Sequence, residues 1–390
     1  MKLSMRLAFG AVLVLAGCPA PAPKPPPPDV TPPDVTPPPP PPKVTPSDAV
    51  TSVSTFREHH CLVRFAKTVE CWGRNSYGQL GNGGKDDSSA LVAVAGVADA
   101  KSVAVGRDFS CAVRDGGSVT CWGNNEDGQL GDGRGVEPGA KSAAPVEVGS
   151  VSGIKQLVAG EYHACALDGG GTVSCWGNGA DGQLGRSVKR AVGTAATVGE
   201  LGRIKQIASG ASHVCALDGG GSVKCWGRNS EGQLGIGKSG SRSNATDVSG
   251  LGDVKQLAAG WTHTCALKSD GTVVCWGDNT SMQLGPKGGS EKRLQAAISV
   301  PGLEEITKIA AGGRHTCAEE RSGKVVCWGD NAKGQLGSAA GVAQASPIEA
   351  GAGKKAIGFA LGDSQSCALL PKGKLACWGA ITEEIAPAGG

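Results

Sequence analysis

Aromatic residues are scarce in this 390-residue chain, at 4%, so any core must be built mainly from Ala, Val, Ile, Leu and Cys. Charge of one sign is also missing. The formal net charge is +3 with 19% charged residues, a near balance that gives no reason to expect nucleic acid as the main partner. Only one apolar run approaches membrane length, and it lies at the extreme N-terminus. No His-Glu-x-x-His, nucleophile elbow or phosphate loop is present, and nothing nominates an acid/base pair. The glycine runs from Asp168 to Gly171 and from Asp218 to Gly221 read as hairpin turns rather than phosphate cradles. Glycine, by contrast, is abundant. Sixty-three glycines weaken helices and argue against a helical bundle. The chain also exceeds the ~250–300 residues at which single cores stop growing, so it divides into domains or modular units.

The N-terminus reads as an export signal over residues 1–17. Lys2 and Arg6 precede a short apolar run, Leu7 to Leu15, too short to span a bilayer. The run ends Leu-Ala-Gly-Cys at Cys18 and resembles the bacterial lipobox, which implies lipidation of Cys18 and a membrane anchor. Pro19 stands where an Asp would resemble the inner-membrane retention signal, so the expected location is the outer membrane. Residues 19–46 hold 16 of the 23 prolines. Such a run cannot pack a core; as polyproline II its 28 residues would reach roughly 85 Å at ~3.1 Å each. With Cys18 it forms a linker over 18–46, ahead of a repeat domain over 47–390.

The other 14 cysteines fall into seven pairs: Cys61 with Cys71, Cys111 with Cys121, Cys165 with Cys175, Cys215 with Cys225, Cys265 with Cys275, Cys317 with Cys327, and Cys367 with Cys377. Each pair has an offset of ten, and successive pairs step by 50, 54, 50, 50, 52 and 50. A Gly lies five before the first Cys in six copies, with Phe56 in that place in the first. Trp-Gly always follows the second Cys, and Gly-Gln-Leu-Gly follows in most copies but not the seventh. In the fifth copy, Val254 to Ala259, Thr262 to Leu267, Thr272 to Trp276 and Ala297 to Val300 read as strands, with a turn at Ser269 to Gly271. Four short strands per fifty residues, repeated seven times, define an all-β fold, a seven-bladed β-propeller.

The pattern Gly-x-x-His-x-x-Ala-Leu, Asp-Gly-x-Val, Trp-Gly-x-Asn, Gly-Gln-Leu-Gly resembles the repeat of the regulator of chromosome condensation family, in seven copies over residues 50–380. The resemblance implies the same seven-bladed propeller. The Cys pairs depart from it.

Turn symmetry in the fifth copy makes Lys268 and Thr272 the hydrogen-bonded closing pair. Alternation then puts Cys265 opposite Cys275 in a non-hydrogen-bonded pair, within disulfide range. One disulfide inside each blade is therefore expected. The rival is structural zinc, which wants cysteines two to four apart. Period-two alternation puts Trp276 on the face opposite Cys265 and Cys275, so each Trp face should pack on the neighbouring blade's disulfide face. His59, His163, His213, His263 and His315 recur two before the first Cys and read as framework, against a metal or acid/base role.

Function then belongs to the loops that break the repeat: 82–90, 132–145, 186–197, 236–246 and 286–297. They carry eleven basic against five acidic residues. Lys141, Arg186, Lys189, Arg190, Arg242, Lys292 and Arg293 are the candidate docking residues for an acidic partner, with ordinary solvation of polar loops as the bland reading. The combined expectation is a monomeric, membrane-anchored, non-enzymatic scaffold for a protein partner, with no cofactor, metal or nucleic acid. Two rivals stand. One is an extracellular enzyme or enzyme inhibitor, since a bacterial β-lactamase-inhibiting propeller has a similar repeat. The other is guanine-nucleotide exchange by family analogy, although this chain lacks the inserted wedge of the eukaryotic member. Ring closure is expected to use Ile381 to Ile385 as a strand beside 374–379, with the Trp378 face packing on the first blade.

Overall fold

The computed structural model describes residues 49–134, 136–350 and 355–380. They form seven antiparallel sheets arranged as a β-propeller, six of four strands and the seventh of three. Cys18, the proline-rich linker and Ile381 to Ile385 lie outside the described residues.

The fifth blade shows how the sequence builds the unit. Its strands are Val254–Ala259, His263–Lys268, Val273–Asp278 and Arg293–Ser299. The outer strand starts earlier than its apolar residues suggest, because one of its faces is solvated and Arg293 to Gln295 also fit it. The hairpin closes as the turn chemistry requires: Lys268 N–H donates to Thr272 at 2.8 Å and Gly271 N–H to Lys268 at 3.0 Å. Gly271 takes φ 88°, a backbone conformation glycine adopts without strain. Cys265 then stands opposite Cys275.

The other blades repeat this pairing, and every expected disulfide is present within its own blade. Cys61 is bonded to Cys71, Cys111 to Cys121, Cys165 to Cys175 and Cys215 to Cys225. Cys265 is bonded to Cys275, Cys317 to Cys327 and Cys367 to Cys377. The Cα atoms of the pairs are 4.0–4.1 Å apart, the close approach of directly opposed residues in a non-hydrogen-bonded pair. Bonded to each other, these cysteines are not metal ligands, so the zinc rival falls.

Neighbouring blades meet face to face. Trp276 is wholly buried in a cluster with Cys215, Cys225 and Leu234 of the preceding blade. Its indole N–H donates to the Gln233 carbonyl at 2.8 Å. The same bond, at 2.8–2.9 Å, recurs from Trp122, Trp176, Trp226, Trp328 and Trp378 to Gln79, Gln129, Gln183, Gln283 and Gln335. Trp122 likewise lies in one cluster with Cys61 and Cys71, and Trp176 in one with Cys111 and Cys121. The Gly-Gln-Leu-Gly turn is therefore the filler of the seam: its Gln carbonyl receives the next blade's indole, and its Leu is buried beside it. Inner-strand glutamines add a second tie. Gln206 donates to the Leu257 carbonyl at 2.9 Å and accepts from Leu257 N–H at 2.9 Å.

One expectation about closure is corrected. The Trp378 face, on the strand that also carries Cys377, packs on the sixth blade, with Cys317 and Cys327, not on the first. The first blade instead applies its own Trp72 to Leu369 and Leu375 of the seventh. The repeat specifies which two faces meet, and the polarity is common to all seams: each tryptophan faces the blade before it around the ring.

Candidate functional site

The loop joining the first and second strands of each blade holds the variable pair of Gly-x-x-His, and these loops ring one mouth of the axial channel. Their backbones are hydrogen-bonded blade to blade: Arg107 to Glu161, Glu161 to Ala211, Ala211 to Trp261, Trp261 to Gly313 and Gly313 to Gly362, at 2.8–3.2 Å. The glycine ahead of the pair is needed for this approach. A Cβ on Gly260 would sit 2.4 Å from the Gly312 carbonyl and 2.1 Å from the His263 ring. Below the mouth lies a cavity of about 210 Å³, lined largely by small and branched apolar residues of the inner strands.

Phe56, the exception among those glycines, fills the channel instead. Its ring centroid lies 6.2 Å from that of Trp261, across the ring in the fifth blade. The Arg57 guanidinium carbon sits 4.2 Å from the Trp261 ring centroid, a cation–π contact over the channel end. Arg57 also pairs with Glu161 at 3.2 Å, and Arg107 pairs with Glu161 at 3.0 Å and bonds the Tyr162 hydroxyl. Burial pushes the Asp108 carboxyl up, opposed by Arg107 and Arg74. Burial likewise raises Asp363, opposed by Arg57 and Arg314. Trp261, Tyr162 and Arg57 are half-buried and accessible.

No histidine joins this cluster. All six histidines are buried in the seams. His213 Nε2 lies 2.8 Å from the Thr264 hydroxyl, which itself donates to the Gln233 carbonyl, so the histidine is the donor. His59, His263 and His315 repeat this arrangement with Ser110, Thr316 and Ser366. His163 turns to Ser209, because Val214 occupies the usual hydroxyl position. Phe109 replaces histidine in the second copy, where the facing residue is Ala164 and offers no hydroxyl. Burial lowers their pKa values to about 3, and that of His263 to about 4, so they are neutral at ordinary pH. Among the described residues no group of three or more His, Cys, Asp or Glu is placed to hold a metal ion.

The loops named from sequence leave the third strands at the same end of the blades as the mouth, since alternate antiparallel connections share an end. They form an arc from the first blade to the fifth, and the first four reach the next blade's outer strand: Gly83 to Ala143, Gly133 to Gly193, Ser187 to Asn244 and Gly237 to Gln295. Not every basic residue in them is free. Arg186 is half-buried and donates to the Cys175 carbonyl at 3.2 Å. Arg242 bonds the carbonyls of Gly240 and Ser241. Arg293 bonds the Ser230 carbonyl and approaches Glu231 at 3.9 Å. Lys141 stands 5.7 Å from the Tyr77 ring centroid. Lys189, Arg190 and Lys292 are exposed, with no side-chain partner among the described residues. Sequence reasoning missed the mouth cluster. The available signal was the variable pair inside Gly-x-x-His, where Arg57, Arg107, Glu161, Tyr162, Trp261 and Asp363 all stand.

Seven stapled blades, a plugged channel and a rim of loops on one face define a propeller with repeated seam chemistry. The chain belongs to the RCC1-like domain family, whose model matches residues 135–385. The regulator of chromosome condensation (RCC1) repeat also matches residues 69–113 and 100–129. Among curated proteins, the RCC1 domain-containing protein RUG3, mitochondrial, of Arabidopsis thaliana is 47% identical over 73 residues. That match covers 18% of this chain and 16% of the plant protein. The structure is similar to human WBSCR16, with a TM-score of 0.74 and 26% identity, covering 80% of this chain and 85% of that one. Yeast RCC1 (Prp20), in its complex with Kap60, gives a TM-score of 0.69 at 24% identity over 80% of this chain and 78% of that one.

Proposed function

We propose that the protein is a non-enzymatic scaffold that docks a protein partner on the face bearing the channel mouth, and that a lipid on Cys18 holds it at the outer membrane. The observation that carries the docking reading is the composition of the mouth. An accessible tryptophan capped by arginine is the kind of amphipathic anchor that dominates protein interfaces. The carboxylate of Glu161 faces the arginines Arg57 and Arg107, and no histidine joins the cluster. Lys189, Arg190 and Lys292 on the same face supply a rim for steering an acidic surface. Precedent within the fold supports a protein partner: yeast RCC1 (Prp20) is bound to Kap60 in its crystal structure. The lipid anchor rests on the residues around Cys18, and on this reading the protein is a monomer that faces the periplasm or the cell surface.

The test is crosslinking in intact cells followed by capture. A specific partner should be lost with Trp261→Ala and retained with Asp270→Asn, which lies on a hairpin turn at the opposite end of the blades. Equal capture by both variants overturns the assignment of this face. Cys18→Ala should release the protein from the membrane fraction; unchanged fractionation with normal processing overturns the anchor.

A further inference from the structure

The end of the blades opposite the mouth carries the hairpin turns between second and third strands. In the second to sixth blades each turn holds an acidic residue: Asp115, Asp168, Asp218, Asp270 and Glu320. Three of these carboxylates are engaged by the turn itself. Asp168 accepts from the Gly170 and Thr172 N–H groups, Asp218 from those of Gly220 and Ser222, and Asp270 from that of Thr272, at 2.8–2.9 Å. The seventh and first blades break this pattern together. Their turns, 370–375 and 64–69, contain no acidic residue.

The two exceptional turns are neighbours across Ala49. A Cβ on Gly373 would sit 2.7 Å from the Ala49 Cα, and the Ala49 carbonyl accepts the Phe65 N–H at 2.7 Å. Apolar and basic side chains stand in solvent around this junction. Phe65 is 64% exposed, and Ile357, whose N–H donates to the Leu369 carbonyl, is 55% exposed. Lys372 and Lys374 flank Gly373, and Lys355 lies against Gly323 in the turn of the sixth blade. All three lysines are exposed, with no side-chain partner among the described residues. Glu70, Asp115 and Glu305, at the same end, pair with Arg64, Lys67 and Arg321.

Two observations select the occupant of this patch. Lysine is depleted at protein interfaces, whereas lysines beside an exposed aromatic and a branched aliphatic suit the boundary between headgroups and acyl chains. The chain also enters the propeller at Ala49, inside the patch, and the segment ahead of it leads back to Cys18.

We propose that this face rests on a membrane with anionic headgroups, Phe65 and Ile357 entering the acyl boundary and Lys355, Lys372 and Lys374 lying on the headgroups. The choice of lipid as occupant rests on the anchor proposed at Cys18. The mouth, at the other end of the blades, then points away from the membrane toward a partner.

The test is sedimentation with vesicles, using a chain that starts at Pro19, which has no lipid and keeps every described residue. It should bind vesicles of phosphatidylglycerol and phosphatidylcholine in equal parts ~10-fold or more tighter than phosphatidylcholine alone, and more weakly as salt rises. Lys355→Gln, Lys372→Gln and Lys374→Gln together should weaken that binding ~10-fold or more, and so should Phe65→Ser with Ile357→Ser. Arg228→Gln with Lys333→Gln, at the mouth end, should leave it unchanged. All the substituted side chains are exposed. Equal binding to both kinds of vesicle, indifference to either patch variant, or an equal loss from the mouth-end variant overturns the proposal. Displacement from the vesicles by polyglutamate would assign the patch to an acidic protein and also overturn it. Neither a lipid on Cys18 nor a partner enters this measurement, so its failure is distinct from failure of the anchor or of the docking face.

Discussion

At the scale of single residues, the seams rest on groups whose partners come from the next blade. Trp276 combines burial against the Cys215–Cys225 disulfide with a hydrogen bond to Gln233. Trp276→Phe keeps much of the apolar contact and removes the donor, leaving the Gln233 carbonyl with only the Thr264 hydroxyl. The expected loss is about 1–2 kcal/mol, read from the urea midpoint at unchanged m-value. Trp276→Ala should cost about 3–5 kcal/mol through cavity formation. These roles were legible in part. The recurrence of Trp and Gln marked them as framework, and alternation placed Trp276 on the face opposite the disulfide. The indole-to-carbonyl bond was not legible, because it joins side chain to backbone across a blade boundary and leaves no residue pair to notice. The mouth cluster was passed over for the opposite reason: no two copies carry the same residue pair at its positions, so periodicity discards them.

At the scale of the blade, the hairpin register was readable because a three-residue turn with Gly271 at positive φ fixes which residues face each other. The cysteine offset then determined the pairing, from Cys61 with Cys71 in the first blade to Cys367 with Cys377 in the seventh. Reduction should raise the intact mass by 14 hydrogens, two for each of the seven disulfides. Any blade whose cysteines alkylate without reductant contradicts this for that blade. Replacing Cys265 and Cys275 together by Ala should destabilise by no more than about 2–3 kcal/mol, since the loop is short and the hairpin is partly ordered when unfolded. Outer strands were the least legible elements. They are half-solvated and polar, as in Arg242–Asp247, so their apolar signal is weak.

At the scale of the whole molecule, six buried neutral histidines make stability depend on pH. Their native pKa values, near 3 to 4, lie below the unfolded value of about 6.5. Between those limits the unfolded chain binds more protons, so stability is full above pH 6.5 and falls as the solution is acidified. At pH 5.5 each histidine would contribute a loss of at most about 1.4 kcal/mol. The melting temperature should therefore drop steadily from pH 7 to pH 5, and His213→Gln should flatten the drop. A profile unchanged over that range would show that the histidines titrate in the fold as they do in the unfolded chain. The propeller as a whole was readable from its period, but the order in which it closes was not. A repeat names the two faces of every seam without saying which blade comes first, and only the contacts of Trp378 and Trp72 decide it.

Every covalent staple lies within a blade and none crosses a seam. Under tension this gives the ring a particular mechanics. Load applied between the two chain ends would part seams, which are held only by packing and hydrogen bonds, and the blades would come away in steps. Each step would release less chain than its repeat contains, because the ten-residue span between cysteines stays locked. In a single-molecule pulling trace the oxidised protein should show steps about 30 Å shorter per blade than the reduced protein, at ~3.4 Å per extended residue.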